Sequence, residues 1–422
     1  MNQDVKRRAA EAQLSAMPLP EAEASWAREA RAAARTRLLE AGAPVRRDEY
    51  WKYTNPDALT QPLAAVAISD DPPALHAGAL AGQGALVRFV NGTLREDLSD
   101  SLGGPAKAVT TLSQALSQDI SIAREIFGAL EAAGQEKVDR PLAALNTATA
   151  TEGLVIQVTG EATPMHAHYQ QIGEGSAMVH HLIRVEAGGS FTLIETGVAT
   201  NTVLEVDIAE GGAFNHIRTQ TGDRDAHATH LFARLAEESA LKSFTLTADG
   251  SLTRNEVVMD LVGDNASGHV AGAILAEGQT HTDNTVFVTH TGVDCESRQV
   301  FKNVLGGTAK GIFQGKIYVR EGAQKTDGYQ ISQAVLLNDG AEFSAKPELE
   351  IYADDVACSH GSTTGALDPT AMFYLQSRGV TRAEAEAMLI AAFADEAIEE
   401  IEDEALADLI RDEVAAWMAK RG

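Results

Sequence analysis

The chain is poor in cysteine, in long apolar runs and in basic residues. Its 422 residues include two cysteines, Cys295 and Cys358, which are too few for a disulfide framework and suit a reducing compartment. The longest apolar stretches, such as residues 388–393, are far below the roughly 18 residues of a membrane-spanning helix. The N-terminus carries basic residues without a following apolar core, so it predicts no secretory signal. We therefore expect a cytoplasmic protein without a membrane segment.

Positive charge is scarce along the whole chain. Lys and Arg total 34 against 60 Asp and Glu, which gives a formal net charge of −26. The strongest basic cluster, Lys6-Arg7-Arg8, is short, so most of the surface would repel a polyanion. The sequence therefore predicts neither nucleic-acid binding nor attachment to an anionic membrane.

Several motifs of common enzyme classes are absent. The sequence contains no G-x-x-x-x-G-K-[ST], no G-x-G-x-x-G, no G-x-S-x-G and no H-E-x-x-H. These absences argue against an intrinsic ATPase, a dinucleotide enzyme of the usual kind, a serine hydrolase with a nucleophile elbow and a zincin.

The composition is that of a globular protein, with 44% hydrophobic and 22% charged residues. Strong helix formers at suitable spacing predict helices at residues 21–41 and 111–134. From about residue 151, short stretches rich in β-branched residues alternate with Gly, Asp, Asn or Thr, which predicts strands. We expect a mostly helical N-terminal region at residues 1–150, a β core at residues 151–365 and a helical C-terminal domain at residues 366–422. The strands predicted after Ala85–Val90 are Leu154–Val158, His181–Val185, Phe191–Glu195, Val203–Ile208, Thr229–Leu235, Phe244–Thr247, Glu256–Leu261, Asn284–His290, Lys316–Arg320 and Leu349–Tyr352.

A weak internal repeat runs through the β core. RVEAGGSF ends at Phe191, DIAEGGAF at Phe214 and RLAEESAL at Leu241, and LNDGAEF, which ends at Phe343, has the same shape. The first three ends are 23 and 27 residues apart, which is within the range of solenoid repeats. A parallel β-helix is the favoured interpretation. A two-sheet sandwich or a pair of jelly rolls is the alternative.

The C-terminal region predicts capped helices. Asp368 is suited to an N-cap with Pro369 in the first turn, and Thr381 with Glu384 has the pattern of a capping box. Acidic residues dominate from Glu384 onward. Acidic amphipathic helices at this place either close a solenoid or provide a docking surface, and the sequence leaves both interpretations open.

Two histidines separated by one residue suggest a metal site. His166 and His168 would lie on one face of a strand, with residues 180–181 nearby and Glu174 or Glu195 as a carboxylate. The spacing is loose, so surface and turn histidines on a β scaffold are the competing interpretation. One hypothesis is therefore a β-helix or cupin-like metalloenzyme that uses His166 and His168.

The most distinctive local motif is Cys358-Ser359-His360. On a strand, Cys358 and His360 would share a face, and both side chains are available as metal ligands. A Cys–His nucleophile pair is also conceivable, although no third, orienting group is evident. Two cysteines cannot supply the four thiolates that an iron–sulfur cluster normally takes, so any cluster would be shared with a partner. Cys295, within THTGVDCESRQ, is interpreted as a turn thiol.

A string of short motifs surrounds the Cys-Ser-His sequence. The motifs are KGIFQGKI (310–317), AQKTD (323–327), KPELEI (346–351), ADDV (353–356) and FYLQSRG (373–379). Together they resemble the SufB/SufD family of iron–sulfur cluster assembly proteins, over residues 297–393. The run EYWKYT (49–54) and the Cys-Ser-His form are similar to the SufD branch, whereas SufB-type chains are usually longer and richer in cysteine. Residues 55–150 match only loosely.

The resemblance implies a fold and a set of partners. The fold is a right-handed parallel β-helix flanked by helical N- and C-terminal parts, and the role is that of a scaffold rather than an enzyme. The partners are a SufB-like subunit and a SufC-like ABC-type ATPase, with a transient iron–sulfur cluster shared with the SufB-like subunit. A flavin is associated with such complexes as an electron source, and a homodimer is an alternative state of the isolated chain.

The resemblance also implies residue roles. It places His360 at the interface with the SufB-like subunit as a shared metal ligand, with Cys358 beside it. It assigns ATPase docking to the C-terminal helices, with the residues Phe373, Tyr374, Leu375 and Arg378.

Overall fold

The computed structural model describes residues 3–17, 23–67, 72–73, 78–221 and 226–421. The α-helices are α1 (Gln3–Ala16), α2 (Ser25–Ala41), α3 (Leu112–Ser117), α4 (Ser121–Ile126), α5 (Ala129–Ala133), α6 (Pro141–Thr149), α7 (Pro369–Ser377), α8 (Arg382–Ile398) and α9 (Glu404–Arg421). The strands are β1 (Ala85–Val90), β2 (Thr93–Leu94), β3 (Lys107–Thr111), β4 (Leu154–Val158), β5 (Met165–Gln170), β6 (Met178–Val185), β7 (Ser190–Gly197), β8 (Asn201–Ile208), β9 (Ala213–Thr221), β10 (His227–Leu235), β11 (Ala240–Ala248), β12 (Leu252–Leu261), β13 (Ser267–Ala276), β14 (His281–His290), β15 (Glu296–Leu305), β16 (Lys310–Val319), β17 (Asp327–Leu336), β18 (Glu342–Ile351) and β19 (Ala357–Gly365). The first two residues of the helix predicted at 21–41 lie outside the described residues, and that helix begins at Ser25.

The strands form two facing sheets whose order defines a solenoid. The ten-stranded sheet has the order β19-β17-β15-β13-β11-β9-β7-β5-β1-β2, and the nine-stranded sheet has the order β18-β16-β14-β12-β10-β8-β6-β4-β3. Consecutive strands from β4 onward therefore alternate between the sheets, and each strand pairs in parallel with the strand two places away. This parallel pairing confirms the predicted β-helix core, and the antiparallel sandwich alternative is wrong.

The sequence repeat corresponds to one turn of the solenoid. Phe191 pairs with Phe214, and Phe214 pairs with Leu241, so the ends of the three repeats stack on one another inside the solenoid. The turn before each of these residues contains a left-handed position, with φ of 67° at Gly188, 63° at Gly211 and 54° at Glu238. Glycine adopts this conformation without steric cost, which explains its recurrence in the first two repeats.

The helix predicted over residues 111–134 is wrong as a continuous element, because α3, α4 and α5 divide it. Gly128 has a φ of 70°, which ends the helical path before α5. The buried carboxylate of Glu205 on β8 accepts the backbone N–H groups of Gly128 at 2.6 Å, Leu130 at 2.8 Å and Glu131 at 2.9 Å. These backbone N–H groups at the start of α5 thus find their acceptor on the sheet, and helix propensity alone does not predict such a contact.

The predicted caps of the C-terminal helices are confirmed. Asp368 Oδ1 accepts the Thr370 N–H at 2.8 Å, and Thr381 and Glu384 form the reciprocal capping box. Helices α8 and α9 cover the outer face of the ten-stranded sheet rather than an end of the solenoid. Their apolar side chains pack there with those of the sheet, and the helical members of this cluster are Ile390, Ala394, Ala397, Ile398, Leu406, Ala407, Ile410, Val414 and Trp417.

Buried neutral histidines predict that acid destabilises the fold. Burial lowers the pKa of His166, His181, His230 and His290 to about 4 in each case. Unfolding returns these imidazoles to a pKa near 6.5, so the unfolded chain binds more protons and stability falls as the pH drops from about 6.5 to 4. Each histidine contributes up to about 1.4 kcal/mol per pH unit in that window.

Carboxyl groups whose pKa is raised by burial oppose this trend, and they include Glu131, Glu152 and Asp260. Burial raises the pKa of Glu131 to about 7, so its contribution to stability falls as the pH rises from about 4.5 to 7. Urea unfolding midpoints between pH about 7.5 and 4.5 would measure the sum, and Glu131→Gln would remove the contribution of Glu131. A midpoint that rises on acidification in the Glu131→Gln protein would contradict the expectation.

Candidate functional site

The Cys-Ser-His sequence lies on β19, the last strand of the ten-stranded sheet. Within the described residues, β19 pairs with β17 on one side and has no strand on the other. His360 is exposed, whereas Cys358 is partly buried and contacts an apolar cluster that includes Ile317 and Val319. The structure thus brings the two candidate ligands to the outermost strand at one end of the solenoid, which we call the open end and define by β18 and β19.

Burial raises the pKa of the Cys358 thiol above its ordinary value. The thiol is therefore protonated at neutral pH, and the protonated form is a poor metal ligand. His360 has an exposed side chain on the same strand. Of the two residues, His360 is the better candidate ligand when no partner perturbs the thiol.

Contacts with β17 show which way the side chains of β19 point. A Cβ atom placed on Gly328 would lie 3.2 Å from Cys358 Sγ, and Ser332 Oγ lies 3.4 Å from Ser362 Oγ. Side chains alternate along a strand, so Cys358, His360 and Ser362 share the face that meets the interior side chains of β17. The sequence-based expectation that Cys358 and His360 point the same way agrees with this arrangement.

The backbone at the open end has unpaired hydrogen-bonding groups. The Ala357 N–H donates to Thr326 O at 2.8 Å, toward β17, so the N–H groups of Cys358, His360, Ser362 and Thr364 point outward because successive N–H groups alternate.

The same argument applies to β18. The N–H groups of Glu342 and Tyr352 donate toward β16, at 2.9 Å to Ala309 O and at 3.0 Å to Val319 O. Odd-numbered positions of β18 therefore face outward, and Pro347 is one of them. A proline there removes no bond to β16, which is the position that prolines take on edge strands.

The EYWKYT segment lies against the outer face of the nine-stranded sheet. The Tyr50 hydroxyl donates to Glu348 Oε2 at 2.7 Å, and the Lys346 ammonium is 4.1 Å from the Tyr50 ring centroid. The Arg254 guanidinium is 3.9 Å from the centroid of the Trp51 ring. The segment therefore joins the KPELEI strand next to the open end. Sequence reasoning used the two motifs separately and did not find that they touch.

The four residues assigned to ATPase docking lie on or just after α7. Phe373 is 71% exposed and Tyr374 is 57% exposed, and the Arg378 guanidinium is 5.1 Å from the Tyr374 ring centroid. Leu375 is half-buried, and α7 contains no buried residue. The two aromatic rings face solvent and do not seal the solenoid.

His166 and His168 are buried and share a contact with Thr196. Thr196 Oγ1 lies 2.7 Å from His166 Nε2 and 2.8 Å from His168 Nδ1, and both side chains are buried. Glu195 instead pairs with His216 and Arg218 inside the solenoid. Among the residues that the structure describes, no group of three or more His, Cys, Asp or Glu could hold a metal ion.

The remaining cysteine, Cys295, lies away from the Cys-Ser-His sequence. Cys295 is buried and its thiol donates to Gly263 O at 3.2 Å, in agreement with a turn thiol.

No helix within the described ranges is long and apolar enough to cross a membrane.

Known proteins are similar in sequence to this chain. Residues 168–393 match the family described as SUF system FeS cluster assembly, SufBD core domain. The chain is 30% identical to the iron–sulfur cluster assembly protein SufD of Escherichia coli K12 over 386 residues, which cover 87% of this chain and 88% of that protein. It is 28% identical to a SufBD family iron–sulfur cluster assembly protein of Synechocystis, over 85% of this chain and 84% of that protein. It is also 27% identical to SufD of Bacillus subtilis over 281 residues, 63% of this chain and 64% of that protein.

Proposed function

The chain belongs to the SufBD family of iron–sulfur cluster assembly proteins, and we propose that it is a non-catalytic scaffold subunit of a SUF-type complex. In this proposal it pairs with a SufB-like subunit and a SufC-like ABC-type ATPase, and the complex builds nascent clusters and transfers them to recipient proteins. The cluster is the cargo of the complex, and its ligands are shared between this chain and the SufB-like subunit.

The open end of the solenoid carries the proposal. An edge strand with unpaired outward N–H groups is a template for pairing with another chain. His360 and Cys358 lie on that strand, so a partner seated on the edge would meet them. Two ligands are fewer than a cluster requires, and a partner must supply the remainder.

The competing functions lack a comparable observation. A metalloenzyme at His166 and His168 would need a third ligand, and Thr196 already bonds both imidazoles. A SufB-type subunit that holds the cluster alone would need more thiolates than the two cysteines provide. A homodimer through the same edge is an outcome that the experiment below would detect.

Co-expression with a SufB-like chain and a SufC-like ATPase tests the proposal. We expect one complex that contains all three proteins after affinity purification through this chain and size-exclusion chromatography. ATP hydrolysis in that complex should depend on the ATPase subunit. Purification of this chain alone, as a homodimer or as a metal-containing protein with its own turnover, would contradict the scaffold assignment.

We expect the edge at about residues 349–358 to pair with the SufB-like subunit. Ile351 is 38% exposed and lies at an outward position of β18. Ile351→Pro therefore removes an N–H that points away from β16 and bonds no other strand among the described residues. We expect about tenfold weaker binding of the SufB-like subunit, with little change in unfolding midpoint. Ile351→Ala, which removes the same side chain but keeps the N–H, is the matched control. Equal binding by the two variants would show that this edge does not pair.

A further inference from the structure

A ladder of glutamine side chains leads through the ten-stranded sheet to His360. Gln299 on β15 pairs with Gln330 on β17, and Gln330 pairs with His360 on β19. Both glutamines are fully buried, with 0% exposure. Two fully buried amides require a physical reason, because each costs free energy unless its polar atoms are bonded.

The amide nitrogen of Gln330 forms a hydrogen bond, whereas its amide oxygen forms none among the described residues. Its Nε2 donates to Gln299 Oε1 at 2.8 Å, which lies on the side away from the open end. Its Oε1 is buried and accepts no hydrogen bond within the part of the chain that the structure describes. The oxygen and nitrogen of an amide point in different directions, and the strand on the side of β17 away from Gln299 is the neighbour that Oε1 could meet. This strand is β19, and its residue in register with Gln330 is His360.

The opposite sheet leaves space for this amide. A methyl group at Gly315 on β16 would overlap the side-chain amide of Gln330. Gln330 therefore extends across the interior, and Gly315, within the KGIFQGKI motif, is the residue that permits it. The amide therefore lies between Gln299, which accepts its N–H, and Gly315, which leaves room for it.

From these contacts we propose that Gln330 is a positioning residue for His360. The two side chains share no hydrogen bond in this structure. In the proposal the exposed His360 side chain turns so that its ring N–H donates to Gln330 Oε1. The inference rests on the proposed function, because it assigns a purpose to orienting His360. A neutral imidazole has one N–H and one unprotonated nitrogen, and an acceptor on the first determines that the second is the free ligand. Gln330 therefore selects the tautomer of His360 and turns its unprotonated nitrogen toward the partner side, where iron binds.

The tautomer of His360 is measurable in the full-length chain without a partner or a metal. Long-range proton–nitrogen NMR on protein with ¹⁵N-labelled histidine distinguishes the two tautomers, and His360→Gln assigns the signal. We expect one dominant tautomer in the unmodified protein. A mixture typical of free imidazole in the unmodified protein would overturn the inference before any Gln330 variant is made.

Three variants separate positioning from packing. Gln330→Met keeps the length of the side chain and removes the acceptor, so His360 should change to a mixture of tautomers. Gln330→Glu keeps an acceptor oxygen, and Gln299 can rotate its amide to donate to it, so this variant should restore the single tautomer. Ser332→Ala alters a buried residue on the same strand that lies opposite Ser362, and His360 should not respond to it. A response to Ser332→Ala equal to that of Gln330→Met would overturn the inference.

Iron and sulfide content of the reconstituted complex separates this inference from the proposed function. We expect Gln330→Met to lower cluster content by about tenfold, as is usual for the loss of a residue that orients a metal ligand, and Gln330→Glu to retain it. If His360→Ala does not affect cluster content while the tautomer depends on Gln330, the hydrogen bond stands and the proposed role of His360 fails. If His360→Ala abolishes cluster formation and Gln330→Met changes neither measurement, the proposed function stands and this inference fails.

Discussion

Replacement of His360 by alanine is expected to leave the complex assembled and to lower its iron and sulfide content by at least about tenfold. The side chain is exposed on the outermost strand, so its removal disturbs no core packing. An imidazole nitrogen can bind iron directly, whereas burial raises the pKa of the neighbouring Cys358 thiol and keeps it protonated. The measurement is the iron and sulfide content of the anaerobically reconstituted complex.

Cys358→Ala is the comparison for this experiment. The thiol packs against Ile317 and Val319, so its replacement costs some packing but should reduce cluster content less than His360→Ala does. Size-exclusion chromatography must show that both variants still form the complex. Unchanged iron and sulfide in the His360→Ala complex would remove His360 from the set of ligands.

The second large effect is expected at α7. Phe373 and Tyr374 are exposed aromatic side chains at the C-terminal side of the solenoid, and exposed aromatics of this kind often provide most of the binding energy of an interface. We expect Phe373→Asp or Tyr374→Asp to weaken ATPase binding by about 30-fold each, which corresponds to about 2 kcal/mol. Copurification and a titration with the isolated ATPase would measure the loss.

Point substitutions are better suited to this question than removal of residues 368–422. Deletion would uncover the apolar outer face of the ten-stranded sheet that α8 and α9 cover, so loss of binding could follow from misfolding. Exposed positions such as Phe373 cost about 0.5 kcal/mol or less in stability. Met388→Asp on α8, where the side chain is 52% exposed, is a matched control for adding charge to an apolar surface residue. ATPase binding that is equal in Phe373→Asp, Tyr374→Asp and Met388→Asp would locate the docking surface elsewhere.

The sequence alone favoured the solenoid over a sandwich, and it did so through residues that repeat. Phe191, Phe214 and Leu241 recur with a turn before each, and the structure stacks them in register. The capping residues Asp368 and Thr381 likewise act within one helical turn. These features were predictable because the interactions that cause them are local or follow a regular period.

Two of the strands that the sequence missed have polar residues on the inner face. β15 and β17 place Gln299, Asn303 and Gln330 toward the interior, so the apolar alternation that identifies a strand is interrupted. The same residues build the ladder that reaches His360. The polar residues that obscure these strands in the sequence therefore include the residue that is proposed to position His360.

Only the tertiary structure decided which residues of the sequence motifs contact one another and which face solvent. Tyr50 and Glu348 are 298 positions apart and share a hydrogen bond, and Gly315 receives the side chain of Gln330 from the opposite sheet. Cys358 and His360 were identified by their sequence, but the edge on which they lie follows from the order of the strands. The physical reason is that strand periodicity acts over a few residues, whereas edges and buried polar contacts arise when distant turns of the solenoid stack and each polar group must find a partner.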